Sequence, residues 1–161
     1  MVVALGSNQP FGALSPREVL ESALARFPAH GLHVVKRSSW WRSKAWPDPS
    51  EPEFLNGVAL VETALGPHQV MDALLAIESE FGRHRSQSNA PRTLDLDLIV
   101  HGRAVQDEVG LRLPHARAAE RYFVMEPLAE IAPDWTHPIR GETAKELSEQ
   151  ASVGRDARPE D

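Results

Sequence analysis

The sequence predicts an α+β fold in which a mostly antiparallel β-sheet carries helices packed on it. Segments with the two-residue periodicity of strands alternate with segments in which apolar residues recur at helical spacing. At 161 residues and 42% hydrophobic composition, the chain can bury one good core. These observations predict a single domain over residues 1–150, followed by a disordered tail over residues 151–161 because that stretch is polar.

The first two elements are a short strand and a capped helix. Residues 2–6 are apolar and predict a buried strand. Ser15 then provides an N-cap, Pro16 suits the first helical position, and Glu18 completes a capping box. The helix that follows is expected to end at the Pro-Ala-His-Gly segment, residues 28–31.

Two further strands and a second helix follow. Residues 32–41 predict one continuous strand, and the proline-rich stretch 42–53 predicts a long loop of the kind that often serves as a lid. Residues 54–64 are apolar on both faces, which is typical of a central strand. Gly66-Pro67 begins the second helix, whose apolar residues keep helical spacing up to Phe81.

The remaining elements are less regular. Residues 82–91 are rich in Ser, Asn, Gly and Pro and predict a second loop, which we also expect to act as a lid. Residues 95–100 predict the fourth strand, and residues 101–103 predict a turn into a shorter one. Residues 121–131 predict a helix, which gives the core a helical extension towards the C-terminus.

The order of these elements is strand, helix, strand, strand, helix, strand. This is the order of the ferredoxin-like, split βαβ arrangement, in which both helices cover one face of an antiparallel sheet. The opposite face is left for a site or for the C-terminal segment. Function does not follow from this order.

Two aspartates on the fourth strand are the most informative residues. Asp95 and Asp97 are two residues apart, so their carboxylates project from the same face with Cα atoms about 6.5 Å apart. Carboxylate oxygens on a rigid strand suit Mg²⁺, which fills its other positions with water and substrate phosphate. An edge strand with a solvated acidic face is the alternative explanation.

Three arginines precede this aspartate pair closely. Arg83, Arg85 and Arg92 lie in or beside the predicted loop 82–91. The guanidinium group matches phosphate oxygens and stays charged at working pH. Cations for a polyphosphate next to carboxylates for its metal favour phosphoryl or nucleotidyl transfer. The alternative is that Arg83 and Arg85 are solvated charges paired with glutamates of the second helix.

Composition excludes several classes of function. The chain has no cysteine, so it can form neither a disulfide framework nor a thiolate metal site. Its net charge of −6 argues against a general nucleic-acid surface. No apolar run is long enough to span a bilayer, and residues 1–6 lack the form of a signal peptide. We therefore expect a cytoplasmic protein with small-molecule substrates. That the protein is a monomer is a separate expectation.

Five strings of residues are informative together. In chain order they are Gly6-Ser7-Asn8, Phe54-Leu55-Asn56, Pro91-Arg92-Thr93-Leu94-Asp95-Leu96-Asp97, Leu113-Pro114-His115 and Arg121-Tyr122-Phe123-Val124-Met125-Glu126-Pro127-Leu128. Together they resemble the 6-hydroxymethyl-7,8-dihydropterin pyrophosphokinases of folate biosynthesis. The resemblance runs from about residue 2 to residue 150.

The resemblance implies a reaction and a metal requirement. Members of that family transfer the pyrophosphoryl group of ATP to the pterin hydroxymethyl group and release AMP. Two Mg²⁺ ions would lie between the triphosphate and the carboxylates of Asp95 and Asp97. Such a metal pair neutralises charge on the phosphate oxygens and aligns the nucleophile. Arg83 and Arg92 would steady the migrating phosphates.

The resemblance also assigns the two substrates to two sets of residues. The implied ATP contacts are Glu78, Arg85, Arg92, Leu98, Arg112, His115 and Arg121. The implied pterin contacts are Ser43, Lys44, Trp46, Phe54, Asn56 and Phe123. An aromatic face and a carboxamide suit a flat heterocycle with a donor–acceptor edge. The residues alone leave alternatives open, since the two phenylalanines also suit a core, His115 also suits a turn, and Glu78 also suits an exposed helix end.

The sequence departs from the family pattern in the predicted loop. Some members carry a tryptophan two residues before the Pro-Arg-Thr string, where this chain has Asn89. Arg112 is basic where a smaller hydroxyl residue can occur. These differences affect closure over the pterin and contacts to the nucleotide.

Two rival functions remain open from the residues alone. A nucleotidyltransferase or phosphohydrolase could use the same Asp-Leu-Asp strand and leave a pterin untouched. A ferredoxin-like module that binds RNA or a regulatory ligand would need no catalysis. RNA binding requires a basic sheet face with exposed aromatic residues, and this acidic chain shows neither.

Overall fold

The computed structural model describes residues 1–45, 48, 50–83 and 93–160. Eight strands and four α-helices occur in these residues. The strands are β1 (Val2–Ser7), β2 (His33–Arg37), β3 (Trp41–Ser43), β4 (Phe54–Glu62), β5 (Asp95–Val100), β6 (Gln106–Glu108), β7 (Leu111–Leu113) and β8 (Arg158–Pro159). The helices are α1 (Pro16–Arg26), α2 (Pro67–Glu80), α3 (Tyr122–Ile131) and α4 (Ala144–Gln150).

The main sheet is antiparallel and has β1 and β4 at its centre. Its order is β5-β1-β4-β3-β8, and β2 pairs with β4 beside β3. This is the strand order of the split βαβ arrangement, so the predicted α+β fold with a mostly antiparallel sheet is confirmed. A separate hairpin of β6 and β7 follows β5.

Helices cover both faces of the sheet. Val3 and Leu5 of β1 belong to the core cluster under α1 and α2. Val2 belongs to a second cluster on the other face, together with residues of α3 and α4. Because successive strand residues point to opposite faces, β1 contributes to both layers. The C-terminal helices thus close the face that a two-helix core would leave open.

The predicted helix starts are present. The Ser15 hydroxyl accepts a hydrogen bond from the Glu18 amide, and the Glu18 carboxylate accepts one from the Ser15 amide. These bonds satisfy amide groups that the first turn leaves without helical partners. Pro67 begins α2 at its first turn, where the absent N–H carries no penalty.

The prediction of one strand over residues 32–41 is wrong in detail. The structure has two strands there, β2 and β3, separated by residues 38–40. The Ser38 hydroxyl accepts the hydrogen bond of the Val58 amide at 2.9 Å. A side chain therefore takes the place of a backbone partner at this point and interrupts the ladder along β4.

The C-terminal segment, residues 151–160, differs from the predicted disordered tail. It leaves α4 and runs back to the sheet, where β8 pairs with β3. Ala151 and Ala157 are buried. The free edge of β3 offers unpaired backbone groups, and the segment satisfies them although its composition is polar. No helix in the described ranges is both long and apolar enough to cross a membrane.

Candidate active site

Asp95 and Asp97 lie on β5 and share one face of the sheet. Asp95 is opposite Gly6 of β1, and Asp97 is opposite Ala4. Leu96 lies between them and is buried in the core under α1 and α2. Both aspartates are partly exposed, on the sheet face that α3 covers. The strand periodicity predicted this placement.

A cavity on this face contains both carboxylates; we call it the first cavity. Its floor is formed by β1, β4 and β5, and its sides by the end of β3 and the start of α3. The lining residues are Ala4, Leu5, Gly6, Ser43, Lys44, Phe54, Asn56, Gly57, Asp95, Asp97, Ile99, Arg121, Phe123 and Val124. Of the six residues implied as pterin contacts, five line it, and the sixth, Trp46, lies outside the described residues.

A second cavity adjoins the other side of Asp97. It lies between β5, α2 and the hairpin of β6 and β7, and its lining includes Leu98, Arg112 and His115. These are three of the residues implied as ATP contacts. Asp97 borders both cavities. Arg121, also implied as an ATP contact, lines the first cavity instead.

Arg83 connects the end of α2 to β5. Its Nη1 donates to a carboxylate oxygen of Asp95 and, at 3.2 Å, to Oε2 of Glu78 and to the Leu94 carbonyl. The Arg83 side chain is only 13% exposed. It is therefore held in place by two carboxylates and a carbonyl rather than extended into solvent.

Ion pairing reinforces the charged form of Arg83. Burial works against its protonated form, but the charges of Asp95 and Glu78 outweigh burial and hold the Arg83 pKa above its ordinary value. The guanidinium is a permanent cation beside Asp95. It can serve either that carboxylate or the phosphate oxygens of a ligand.

Glu78 is buried, not exposed at the helix end. It is 2% exposed, and its Oε2 accepts a hydrogen bond at 2.8 Å from the amide of Leu96. Leu96 stands between the two aspartates on β5. Glu78 thus holds both the aspartate strand and Arg83. The sequence-based alternative, a glutamate that is exposed at the helix end and paired with Arg85, is wrong in that Glu78 is buried.

His115 lines the second cavity and is half-buried. Its Nδ1 accepts a hydrogen bond from the Arg117 amide at 3.3 Å, so the loop-capping role expected from sequence is present. Burial and then the charge of Arg121 lower the His115 pKa, and Asp95 opposes this effect. The imidazole is therefore neutral near pH 7, with Nε2 carrying its proton while Nδ1 accepts.

Asn56 has a partner within the protein. Its Nδ2 donates to the Ser43 hydroxyl at 2.9 Å, and the side chain is 8% exposed. Ser43 is buried at the end of β3 and lines the same cavity. The amide plane is fixed by this bond, and a carbon atom on Gly6 would approach Asn56 Oδ1 to 3.2 Å. Glycine at position 6 therefore leaves room for the amide oxygen.

Several expected site residues are not described. Trp46, Arg85, Asn89 and Arg92 lie outside the described residues, as do most of the predicted loop 82–91 and three positions of the loop 42–53. The predictions that these loops act as lids and that Arg92 contacts phosphate stay predictions.

Two residues with structural roles at the site had no role in the sequence-based expectations. The Ser7 hydroxyl donates to the Thr93 carbonyl at 2.7 Å and anchors the chain just before β5. Asp156 accepts a hydrogen bond at 2.7 Å from the amide of Lys44 at the first cavity. The Gly-Ser-Asn string pointed to Ser7, but no local pattern pointed to Asp156, since its contact spans 112 residues.

The donor set fits Mg²⁺ that is shared with a substrate. Within the described residues, no group of three or more His, Cys, Asp or Glu side chains could hold a metal ion. Two carboxylates on one strand face are what Mg²⁺ takes when phosphate and water complete its octahedron. Asp95 and Asp97 would hold the ion, which would neutralise charge on a bound polyphosphate.

Comparison with known proteins shows which family the chain resembles over most of its length. The sequence model of the 7,8-dihydro-6-hydroxymethylpterin-pyrophosphokinase (HPPK) family matches residues 2–133. The chain is 42% identical over 151 residues to a 2-amino-4-hydroxy-6-hydroxymethyldihydropteridine pyrophosphokinase of Synechocystis, covering 92% of this chain and 74% of the relative. It is 41% identical over 137 residues to the Pseudomonas aeruginosa protein of the same name, covering 84% and 82%.

A solved structure agrees in fold. Wild-type HPPK-DHPS of Plasmodium falciparum superposes with a TM-score of 0.69 at 11% identity, over 98% of this chain. The chain spans 47% of that longer protein, so the likeness concerns the fold of one part of it. The family model matches most of this chain, and the two bacterial relatives are about 40% identical to it. The chain therefore belongs to the 7,8-dihydro-6-hydroxymethylpterin-pyrophosphokinase family, the pyrophosphokinases of folate synthesis.

Proposed function

We propose that this member of the family binds 6-hydroxymethyl-7,8-dihydropterin in the first cavity and the nucleotide part of ATP in the second. The pyrophosphoryl group would then pass between them at Asp95 and Asp97. The observation that supports this most directly is that Asp97 borders both cavities. A carboxylate in that position can hold a metal ion at the junction of the two substrates.

The proposed reaction is a single in-line displacement. The pterin hydroxymethyl oxygen forms a bond to the β-phosphorus of ATP. The bond from that phosphorus to the oxygen bridging the α-phosphorus breaks, AMP leaves with the electron pair, and the hydroxyl proton passes to solvent. The loose transition state of phosphoryl transfer requires positioning and charge stabilisation more than covalent chemistry.

The residues of the chain would supply those two needs. Asp95 and Asp97 would hold two Mg²⁺ ions, which neutralise charge on the triphosphate. Arg83, a permanent cation beside Asp95, would face the migrating phosphates together with Arg92. Among the implied ATP contacts, neutral His115 would donate from Nε2 to a phosphate oxygen. Glu78 would contribute indirectly, because it holds β5 and Arg83 in position.

The pterin would bind between an aromatic ring and an oriented amide. Phe123 and Phe54 line the first cavity and present ring surface, which suits a flat heterocycle. Asn56 is oriented by Ser43, so its oxygen can accept from the pterin edge. Lys44 and Arg121 would complete the walls.

We further propose that the enzyme is a cytoplasmic monomer without nucleic-acid or membrane partners. The net charge of −6 supports the absence of nucleic acid. Sedimentation at several protein concentrations tests the monomer: a mass that stays at 17.8 kDa supports it, and a concentration-dependent increase contradicts it.

Product analysis tests the proposed reaction. The protein is incubated with Mg²⁺, ATP and the pterin alcohol, and the nucleotides are separated by chromatography. We expect AMP and the pterin diphosphate in equal amounts, with AMP formed only when the pterin is present. ADP as the main product would indicate attack on the γ-phosphorus and would contradict the proposal, as would release of free pyrophosphate.

A further inference from the structure

The C-terminal segment, residues 151–160, touches two walls of the first cavity. It lies beyond residue 133, where the match to the family model ends. One wall is the end of β3, with Ser43 and Lys44, and the other is the start of α3, with Arg121 and Phe123. Residues of the segment line neither cavity. Their effect on a ligand would therefore pass through the walls.

The segment holds the start of α3 by backbone hydrogen bonds. The Tyr122 amide donates to the Val153 carbonyl at 2.8 Å, and the Val153 amide donates to the Glu120 carbonyl at 2.9 Å. Tyr122 is the first residue of α3, whose first amides have no helical acceptor. The two bonds therefore fix the turn from which Phe123 extends into the first cavity.

Gly154 lies directly against the Phe123 ring. Its φ is +76°, and a Cβ atom at this position would come within 2.3 Å of Phe123 Cδ1. Any side chain here would displace the ring and strain the backbone. The position of the ring thus depends on glycine at 154.

Asp156 holds the opposite strand end. Its Oδ2 accepts from the Lys44 amide at 2.7 Å, just after the last residue of β3. Two residues further on, Arg158–Pro159 pair with β3. The carboxylate continues the pairing at the point where the strand would otherwise fray, and a bond to a charged acceptor is stronger than one to a neutral acceptor.

From these contacts we propose that the C-terminal segment sets the width of the pterin site. Gly154 and Asp156 are positioning residues: the first places the Phe123 ring, and the second places the backbone of Ser43 and Lys44. The inference rests on the proposed binding of the pterin in the first cavity. The segment makes no wall of the second cavity, so pterin affinity should depend on it and nucleotide affinity should not.

Two glycine variants provide a matched test. Gly154→Ala and Gly141→Ala introduce the same methyl group at nearly the same φ, +76° and +74°. At Gly141, however, apart from the adjoining residues, no heavy atom of the described part of the chain lies within 4 Å of the new carbon. The dissociation constant of the pterin is measured by calorimetry in the presence of Mg²⁺ and a non-hydrolysable ATP analogue. The dissociation constant of the analogue is measured in the absence of the pterin. We expect Gly154→Ala to raise the dissociation constant of the pterin about tenfold, which is a loss of about 1.4 kcal/mol of binding free energy. Gly141→Ala should leave this dissociation constant within about twofold of the wild-type value.

A second pair tests Asp156. In Asp156→Asn the side-chain oxygen can still accept the Lys44 hydrogen bond, whereas in Asp156→Ala it is lost. We expect the alanine variant to raise the pterin constant about threefold or more and the asparagine variant to restore most of the affinity. The analogue constant should stay unchanged in all four variants. If Gly154→Ala does not fold, as judged by circular dichroism, this pair decides the question.

Other outcomes would overturn the inference. Equal pterin constants for Gly154→Ala and Gly141→Ala, or equal effects of the two Asp156 variants, would show that the segment only contributes stability. Asn56→Ala distinguishes failure of the proposed pterin site from failure of the proposed role of the C-terminal segment. If it weakens pterin binding and the segment variants do not, the inference fails alone; if it also leaves binding unchanged, the placement of the pterin fails and the inference with it.

Discussion

Arg83 and Asp95 form an ion pair at the junction of α2 and β5, with side chains 13% and 18% exposed. The same guanidinium contacts Glu78. A cation and a candidate metal ligand thus neutralise each other, which limits the repulsion between Asp95 and Asp97. Under the proposed function, Asp95 could exchange this contact for one to Mg²⁺, and Arg83 could exchange it for one to a triphosphate oxygen.

The first prediction concerns the two aspartates. Asp95→Ala and Asp97→Ala should each lower kcat by about 10³-fold or more, roughly 4 kcal/mol of transition-state stabilisation, because each removes a proposed ligand of the metal on ATP. Steady-state kinetics with saturating Mg²⁺ measures this. Asp72→Ala, which changes an exposed carboxylate on α2, is the control and should keep its activity. Activity of either site variant within tenfold of the wild type, with the fold intact, would contradict the assignment.

The second prediction concerns the stability supplied by Glu78. Glu78→Ala should lower the free energy of unfolding by roughly 2–3 kcal/mol, because it leaves the Leu96 amide without its acceptor and removes a counter-charge from Arg83. Glu78→Gln keeps an acceptor and should have a smaller effect. Urea denaturation measures both.

Glu80 provides the comparison for Glu78 on the same helix. It pairs with Arg26 and His30 at the surface, and such pairs contribute little to stability. Glu80→Ala should therefore be much less destabilising than Glu78→Ala. Equal losses for the two alanine variants would show that the buried position of Glu78 has no special importance.

The third prediction is a pH dependence of stability from His115. Its pKa in the folded protein is lowered, first by burial and then by Arg121, whereas in the unfolded chain it is near 6.5. As the pH falls through the window below about 6.5, the unfolded state takes up this proton before the folded state does, so the folded state loses stability. Above the window the contribution is fully present.

Replacing His115 tests this sign. In His115→Gln, the free energy of unfolding should decrease less between pH 7 and pH 5 than in the wild type. The pKa of His137 is also lowered, by burial and by the charge of Arg140. His137→Gln should therefore also lose less unfolding free energy than the wild type between pH 7 and pH 5. If the wild type and His115→Gln lose stability in parallel over this range, His115 is not a source of the pH dependence.

The fourth prediction concerns the orientation of the Asn56 side-chain amide, the proposed contact to the pterin. Ser43→Ala removes the hydroxyl that accepts from Asn56 Nδ2, and the freed amide can then rotate. We expect pterin affinity to fall about tenfold, which corresponds to about 1.4 kcal/mol, with little change in nucleotide affinity. Calorimetric titration of each ligand measures this, with Ser79→Ala on the exposed side of α2 as the control. An equal loss for both ligands would indicate general damage to the fold rather than a local effect.

The sequence by itself determined the local features of this protein. Strand periodicity is a property of consecutive residues, so it correctly placed Asp95 and Asp97 on one face of β5. The capping box of Ser15 and Glu18 is likewise local and is present. The order of elements predicted the sheet, and the five strings of residues predicted the family.

Only the tertiary structure decided contacts between residues distant in the chain. The hydrogen bonds from the Leu96 amide to Glu78 and from the Lys44 amide to Asp156 depend on how whole elements pack, and no nearby residue signals them. The division of residues 32–41 into two strands depends on a hydroxyl of Ser38 that meets β4. The ordered C-terminal segment was missed for the same physical reason: its polar composition predicts disorder, but the unpaired edge of β3 provides the hydrogen bonds that fix it.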